Sequence, residues 1–230
     1  MKNSFWSSFH NQALLAYENS LSIGFNYENR FGIKELGTSS AAITIPGEKA
    51  SVGAVYSHFG NTDYKREMTG LGCGLKISGK MAAGVQIDYF SERTSGEYDN
   101  NKSVTFETGV ILTPSDNLKI GIHLFNPVPN SLRKTSLPSR LRIGAGSNLT
   151  TTLFAGAEAE MSTGNKLIFR TGLEYEAAKR LWIRGGFSTD NNSFCFGMGY
   201  LTKIVIVDFG FTTHEKLGVT SSVSLIFKIH

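Results

Sequence analysis

The stretch that decides the fold is Lys166–Thr189, which reads KLIFRTGLEYEAAKRLWIRGGFST. Apolar and polar positions alternate along it, with Leu167, Phe169, Thr171, Leu173 and Tyr175 on one parity and Arg170, Gly172, Glu174 and Glu176 on the other. A period of two is typical of a β-strand with one apolar and one polar face. The alternation stops at Ala177–Arg180 and then resumes in register. The stretch therefore predicts one hairpin of a larger antiparallel meander.

The same alternation recurs from residue 21 to the end of the chain and predicts about fourteen strands. In chain order the runs are Leu21–Glu28, Ala41–Ile45, Ala50–Phe59, Glu67–Ile77, Met81–Phe90, Lys102–Leu112, Leu118–Phe125, Leu141–Leu149, Leu153–Met161, the two strands of the hairpin, Phe194–Tyr200, Val205–Phe211 and Val219–Ile229. An even number of antiparallel strands is expected for a single-chain barrel of the outer membrane.

The connections between these runs tend to alternate between tight turns and longer polar loops. The tight turns are Pro46–Lys49, Ser78–Lys80, Thr113–Asn117, Ala177–Arg180 and Thr202–Lys203, and the longer loops are Gly32–Ser39, Ser91–Asn101, Asn126–Ser139, Thr189–Asn192 and Thr213–Gly218. If the first strand runs upward, every tight turn falls on the rim that carries both termini. This asymmetry is typical of membrane barrels. We therefore predict an all-β protein, an antiparallel up-and-down transmembrane β-barrel.

The residues on the polar parity distinguish a membrane barrel from a soluble β protein. This face would meet water in a soluble protein, whereas it lines the lumen in a membrane barrel. Glycine is frequent there, which is unusual for a water-facing surface, and tyrosines near strand ends on the apolar parity suit the membrane interface. Charges of both signs recur on neighbouring strands, and we predict that they pair as a lumen charge network: Arg142, Glu158, Arg170, Glu174, Arg184 and Asp208.

Residues 1–20 lack the alternation, and we predict that they form a separate unit ahead of the barrel at residues 21–230. Because the segment is partly apolar and precedes a glycine-rich lumen, we expect it to plug that lumen as a hatch, with Phe5, Trp6, Phe9, Asn11 and Leu14 as the plug residues. No apolar signal-peptide core follows Met1 and Lys2. Together with the strand pattern, this predicts the mature form of a bacterial outer-membrane protein.

Composition and motifs disfavour several other functions. The 230 residues carry a net charge of +4, but no basic stripe or reader motif accompanies it, so nucleic acid is not an expected partner. The chain has no nucleophile motif, phosphate loop or metal-ligand spacing, and we expect no metal, no cofactor and no enzymatic activity. The carboxylate pairs Glu158/Glu160 and Glu174/Glu176 fit pairing with arginine better than acid–base catalysis.

Short patterns along nearly the whole chain resemble a known family. They are Asn11–Ala16, Tyr27–Phe31, Glu35–Gly37, Tyr56–Gly60, Gly84–Phe90 and His123–Pro127. They are similar to the PorV/PorQ-type branch of the FadL-like outer-membrane barrels of Bacteroidota. Asn11–Leu15 departs from the Asn-Pro-Ala-Gly-Leu that is frequent in the wider family. The resemblance implies a barrel of the same strand number, with an N-terminal segment that enters the lumen.

Three functions follow from this resemblance. The first is a non-enzymatic subunit or adaptor of a larger outer-membrane complex, as in type 9 secretion or barrel assembly, with outer-membrane lipid, other outer-membrane proteins and surface lipoproteins as partners. The second is a FadL-like channel for the uptake of hydrophobic small molecules, and the third is a structural barrel without either role. Compact size and short loops favour the adaptor at this stage.

Overall fold

The computed structural model describes residues 4–95, 101–128 and 137–229, and fourteen strands occur among them. They are β1 Leu21–Asn29, β2 Gly37–Ile45, β3 Ala50–Gly60, β4 Tyr64–Ser78, β5 Met81–Thr94, β6 Asn101–Ser115, β7 Leu118–Phe125, β8 Arg140–Asn148, β9 Leu153–Ser162, β10 Ile168–Ala178, β11 Leu181–Ser188, β12 Ser193–Leu201, β13 Val205–His214 and β14 Gly218–Ile229. Short 3-10 helices span Trp6–Phe9, Gln12–Tyr17, Lys34–Leu36 and Asp190–Asn192. Within the described ranges, no helix combines the length and apolar character needed to cross a membrane.

The strands form one closed antiparallel barrel, which confirms the predicted fold. Each strand pairs with its neighbours in sequence, and β1 closes the barrel by pairing with β14, with Leu21 opposite Ile229 and Phe25 opposite Leu225. Closure leaves no strand edge with unpaired backbone groups. The predicted hairpin is β10 and β11, with Glu174 opposite Arg184.

The apolar parity faces outward on every side of the barrel. Leu71 is 67 % exposed, Ile87 63 % and Phe196 59 %, and they belong to a belt of large exposed apolar side chains. A water-soluble protein rarely exposes so extensive an apolar surface. Exposed tyrosines lie toward both rims of the same face: Tyr27, Tyr56, Tyr89, Tyr175 and Tyr200. The outer wall is therefore suited to a lipid bilayer with an aromatic girdle.

The tight turns lie on one rim, together with the start of β1 and the end of β14, as predicted. The connections on this rim are 46–49, 79–80, 116–117, 149–152, 179–180 and 202–204. We call it the periplasmic rim and the other the external rim. The external connections differ in length, since β3 and β4 are joined by residues 61–63 alone. The predicted loops Ser91–Asn101 and Asn126–Ser139 lie partly outside the described residues.

The predicted strand boundaries are wrong at the external rim. β2 begins at Gly37, β4 at Tyr64, and β5 continues to Thr94, whereas these polar residues were expected in or beside loops. The ladder continues through them, with Thr38 opposite Phe59 and Tyr64 opposite Thr94. Outside the hydrocarbon layer a strand needs no apolar face, so backbone pairing extends past the point at which the alternation ends.

We expect Leu71→Arg to destabilise the barrel in lipid by about 2–4 kcal/mol, because it places a cation on the outer face near the bilayer midplane. Ile77→Arg, on the same face and strand but near the periplasmic rim, is the matched control, with an expected cost of about 0–1 kcal/mol. Reversible urea unfolding in phospholipid vesicles measures both. Equal, negligible costs would contradict a lipid-facing outer wall.

Candidate functional site in the barrel lumen

The N-terminal segment, residues 4–20, lies inside the barrel. Ala13, Leu14 and Leu15 are at most 1 % exposed, and the Gln12–Tyr17 helix packs against β3, β4, β5 and β6. Asn11 begins this helix, because its side chain accepts a hydrogen bond from Ala13 N at 3.1 Å, as an N-cap does. The same side chain donates to the carbonyl oxygen of Ile122 on β7 at 3.1 Å. Asn11 therefore joins the segment to the barrel wall.

Glycines on the facing wall allow the segment to approach this closely. A Cβ added at Gly74 would lie 2.6 Å from Ala16 N, and a Cβ at Gly84 or Gly109 would collide with Gln12 or Asn11. These three glycines stand opposite each other across β4, β5 and β6. Glycine is needed at these positions because a side chain would collide with the segment, and not because the backbone conformation requires it.

Three aromatic rings hold the first turn of the segment. The Phe5 ring lies 4.9 Å from that of Trp6 and 5.7 Å from that of Phe9, between ring centroids. Phe5 is 4 % exposed and packs with Ala42 and Ile226, and Trp6 Nε1 donates to Ser224 Oγ at 2.6 Å. All five predicted plug residues therefore lie within the barrel.

A buried polar cluster lies beneath the segment. Glu107 Oε2 accepts hydrogen bonds from Gln12 Nε2 and from His123 Nε2, both at 2.8 Å. Gln86 Nε2 donates at 2.8 Å to Asp88, which is fully buried. The sequence pattern did not predict this cluster. The strand register indicates the cluster, since Gln86 on β5 is opposite Glu107 on β6. Gly109, two residues after Glu107, is opposite His123 on β7.

Two ionisable groups of the segment have shifted pKa values. Burial raises the pKa of the Glu18 carboxyl, although Ser8 Oγ donates to it at 2.9 Å. Enclosure by the barrel and the charge of Arg142 lower the pKa of His10 to about 4. The His10 imidazole, which borders lumen space, is therefore neutral near pH 7.

The predicted lumen charges form two separate clusters. Near the external rim, Arg142 contacts Glu160 at 2.8 Å, and Arg170 contacts Glu158 at 3.0 Å and Glu160 at 2.8 Å. Near the periplasmic rim, Arg184 contacts Glu174 at 2.6 Å and also pairs closely with Asp208. The carboxylates of both clusters are thus held by arginine. Among the described residues, no group of three or more His, Cys, Asp or Glu side chains is arranged to hold a metal.

An apolar cavity of about 560 Å³, the inner cavity, lies between the segment and the opposite wall. Trp6, Phe154, Cys195 and Ile226 border it. Glycines form part of its wall. Gly172 on β10 is opposite Gly156 on β9 and Gly186 on β11, and Gly197 on β12 is opposite Gly210 on β13. A Cβ at Gly172 would meet no atom closer than 3.6 Å and one at Gly156 none closer than 3.4 Å, so these two glycines face open space. The Arg184 cluster closes the cavity toward the periplasmic rim.

Two further cavities, of about 520 and 640 Å³, open on the external side of the segment, and we call them together the vestibule. They share Phe9, His10 and Arg66 as lining residues. Trp6 borders both the vestibule and the inner cavity. Asn26 and Ser222 on the barrel wall also border both spaces, so Trp6 lies at the boundary between an external space and an internal one.

No protein-family model and no curated protein sequence matches this chain. Solved structures share its fold, however. The CymD monoaromatic hydrocarbon channel has a TM-score of 0.77 at 10 % identity, covering 100 % of this chain and 94 % of CymD. The Pseudomonas putida toluene transporter TodX has a TM-score of 0.71 at 8 % identity, covering 98 % and 93 %. A Pseudomonas aeruginosa FadL homologue has a TM-score of 0.66 at 12 % identity, covering 100 % and 95 %. The chain therefore has the fold of FadL-like channels.

We expect Gly84→Ala to weaken docking of the segment by about 1–3 kcal/mol, because the new methyl group overlaps the backbone of Gln12. Gly172→Ala, which adds the same methyl group over open space, is the matched control. In a background without Cys73 and Cys195, a Ser8→Cys substitution reports on docking, since Ser8 is fully buried. Thiol labelling should be about tenfold faster with Gly84→Ala. Equal labelling of the two variants would contradict the docked arrangement.

Proposed function

We propose that this protein is a channel of the bacterial outer membrane that passes small apolar molecules. The observation that carries the proposal is the inner cavity, an apolar space of about 560 Å³ that runs beside the N-terminal segment within a closed barrel. This volume is within the range of small-molecule sites. The outward apolar belt supports placement in a membrane, and a barrel of this kind is an outer-membrane architecture.

The walls of the inner cavity favour apolar over polar solutes. Phe154, Trp6 and Ile226 offer carbon surface, and the bare glycine backbone leaves room for a ring. A polar molecule would lose its hydration there with few groups to replace it, which costs several kcal/mol. The ion pairs of Arg184 are already satisfied by Glu174 and Asp208, so they attract little further charge.

The N-terminal segment acts as a hatch in this proposal. Trp6 lies at the boundary between the vestibule and the inner cavity and is tied to the wall through Ser224. A modest rotation of Trp6 would join the two spaces, whereas the helix at Gln12–Tyr17 stays anchored by Asn11 and Gln12. Entry from the vestibule into the inner cavity therefore requires movement of the aromatic turn and not loss of the whole segment.

The channel is favoured over the adaptor that the sequence first suggested. Solved structures with the same fold are described as hydrocarbon channels and toluene transporters, and the inner cavity gives such a role a physical basis. Assignment to the PorV/PorQ branch and to Bacteroidota stays a prediction, as do protein partners in the outer membrane. Extraction in mild detergent followed by mass spectrometry tests for such partners.

We expect Gly172→Phe to reduce uptake of toluene into proteoliposomes by about tenfold or more, because the ring fills the inner cavity. Ala157→Phe is the matched control. Ala157 lies on the neighbouring strand β9, is exposed on the outward-facing parity and does not border the inner cavity. Heat-modifiable migration on gels confirms that both variants fold. Toluene uptake no faster than in empty liposomes would overturn the proposed function.

Deleting residues 1–18 should raise single-channel conductance, because the segment occupies the lumen against β3 to β6. Planar bilayer recording of the wild-type and shortened chains measures the difference. A wild-type conductance equal to that of the shortened chain would show that the segment does not obstruct the lumen.

A further inference from the structure

The vestibule contains two arginines and two phenylalanines in contact, which we call the arginine–phenylalanine array: Arg66, Phe90, Phe125 and Arg140. All four border the cavity of about 640 Å³. The Arg66 guanidinium carbon lies 5.3 Å from the Phe90 ring centroid, and that of Arg140 lies 5.7 Å from the Phe125 centroid. The two rings meet edge to face, with centroids 6.2 Å apart and an interplanar angle of 88°. The array is therefore one continuous surface with a cation at each end.

The barrel register builds the array from four strands. Arg66 on β4 and Phe90 on β5 lie near the external rim. Phe125 on β7 and Arg140 on β8 lie near the same rim and are opposite each other in the strand register. All four occupy the lumen parity of their strands. Phe90 is 7 % exposed, so the strands hold at least this ring in a fixed position.

The arginines of the array differ from the other lumen arginines in their charge environment. Arg142, Arg170 and Arg184 each contact a carboxylate. Within residues 4–95, 101–128 and 137–229, neither Arg66 nor Arg140 forms an ion pair, and each packs on a ring instead. Among the described residues, no side chain pairs with the hydrogen-bonding groups of these two cations, which can therefore donate to a ligand.

Two carboxylates border the same cavity, but their positions leave the array cationic. Glu107 is engaged by Gln12 and His123 beneath the segment. Glu92 stands opposite Arg66 in register without forming an ion pair with it. Arg142 also borders this cavity, but its charge is paired with that of Glu160.

We propose that the arginine–phenylalanine array binds small aryl carboxylates at the external mouth of the channel proposed above. The carboxylate accepts hydrogen bonds from the guanidinium groups of Arg66 or Arg140, and the aryl ring packs on the half-buried Phe125. Leu137 and Pro138 add apolar surface at the same cavity. The inference rests on the proposed function for the position of the array at the channel mouth. It concerns a ligand held in the vestibule, because the apolar walls of the inner cavity disfavour a carboxylate.

Isothermal titration calorimetry of the full chain in nonionic detergent tests the site, with phenylacetate as the probe and phenylacetamide as its neutral analogue. We expect phenylacetate to bind about tenfold more tightly than phenylacetamide. The double variant Arg66→Gln/Arg140→Gln should bind phenylacetate about tenfold or more weakly than the wild type. Arg93→Gln, at an exposed and outward-facing position on β5, is the matched control and should leave the affinity unchanged.

Arg66→Lys provides a second variant, because it keeps the charge but loses the planar group that stacks on Phe90 and pairs with a carboxylate in two places. Its affinity for phenylacetate should lie between those of the wild type and the double variant. Equal affinities for phenylacetate and phenylacetamide, or no effect of the double variant, would overturn the inference. The same holds if phenylacetate does not bind at all.

Toluene uptake by the same proteins separates this inference from the proposed function. If toluene enters proteoliposomes but phenylacetate does not bind, the vestibule site is wrong and the channel stands. If toluene does not enter, the channel is wrong, and tight phenylacetate binding that depends on Arg66 and Arg140 would then support the site alone.

Discussion

The structure depends on one constraint: in a bilayer, backbone polar groups must find partners within the protein, because hydrocarbon offers none. The pairing of β1 with β14 meets this condition by closing the barrel. Closure then dictates the rest. Closure gives the sheet an outer face and an inner face, and the residues of the apolar parity point outward to lipid. The inner face encloses a lumen, which is either filled by protein or left as a cavity.

Glycine decides which part of the lumen is packed. On β4 to β6, Gly74, Gly84 and Gly109 are in contact with the N-terminal segment, and any side chain there would displace it. On β9 and β10, Gly156 and Gly172 face open space. The lumen is therefore asymmetric, with an anchored segment against one wall and an apolar cavity against the other. This asymmetry turns a closed barrel into a candidate passage.

The sequence predicts the barrel well, because a strand with two different environments must alternate, and Lys166–Thr189 does so without interruption except at its turn and at Trp182. It predicts strand ends poorly at the external rim, where Tyr64 and Thr94 pair without an apolar face. Parity identifies which charges enter the lumen, but only the register divides them into the clusters of Arg170 and Arg184. The sequence pattern could not predict the buried contact of Gln12 with Glu107, because the N-terminal segment has no regular alternation from which its position in the lumen could be inferred.

The central claim is that apolar molecules occupy the inner cavity, and Cys195 is a native reporter because it borders that cavity. The most direct measurement is the rate at which a small methanethiosulfonate reagent modifies Cys195 in a Cys73→Ser background, with and without toluene. If toluene occupies the inner cavity, it slows modification in a saturable manner, and Gly172→Phe removes this effect. A modification rate that saturating toluene leaves unchanged would contradict it.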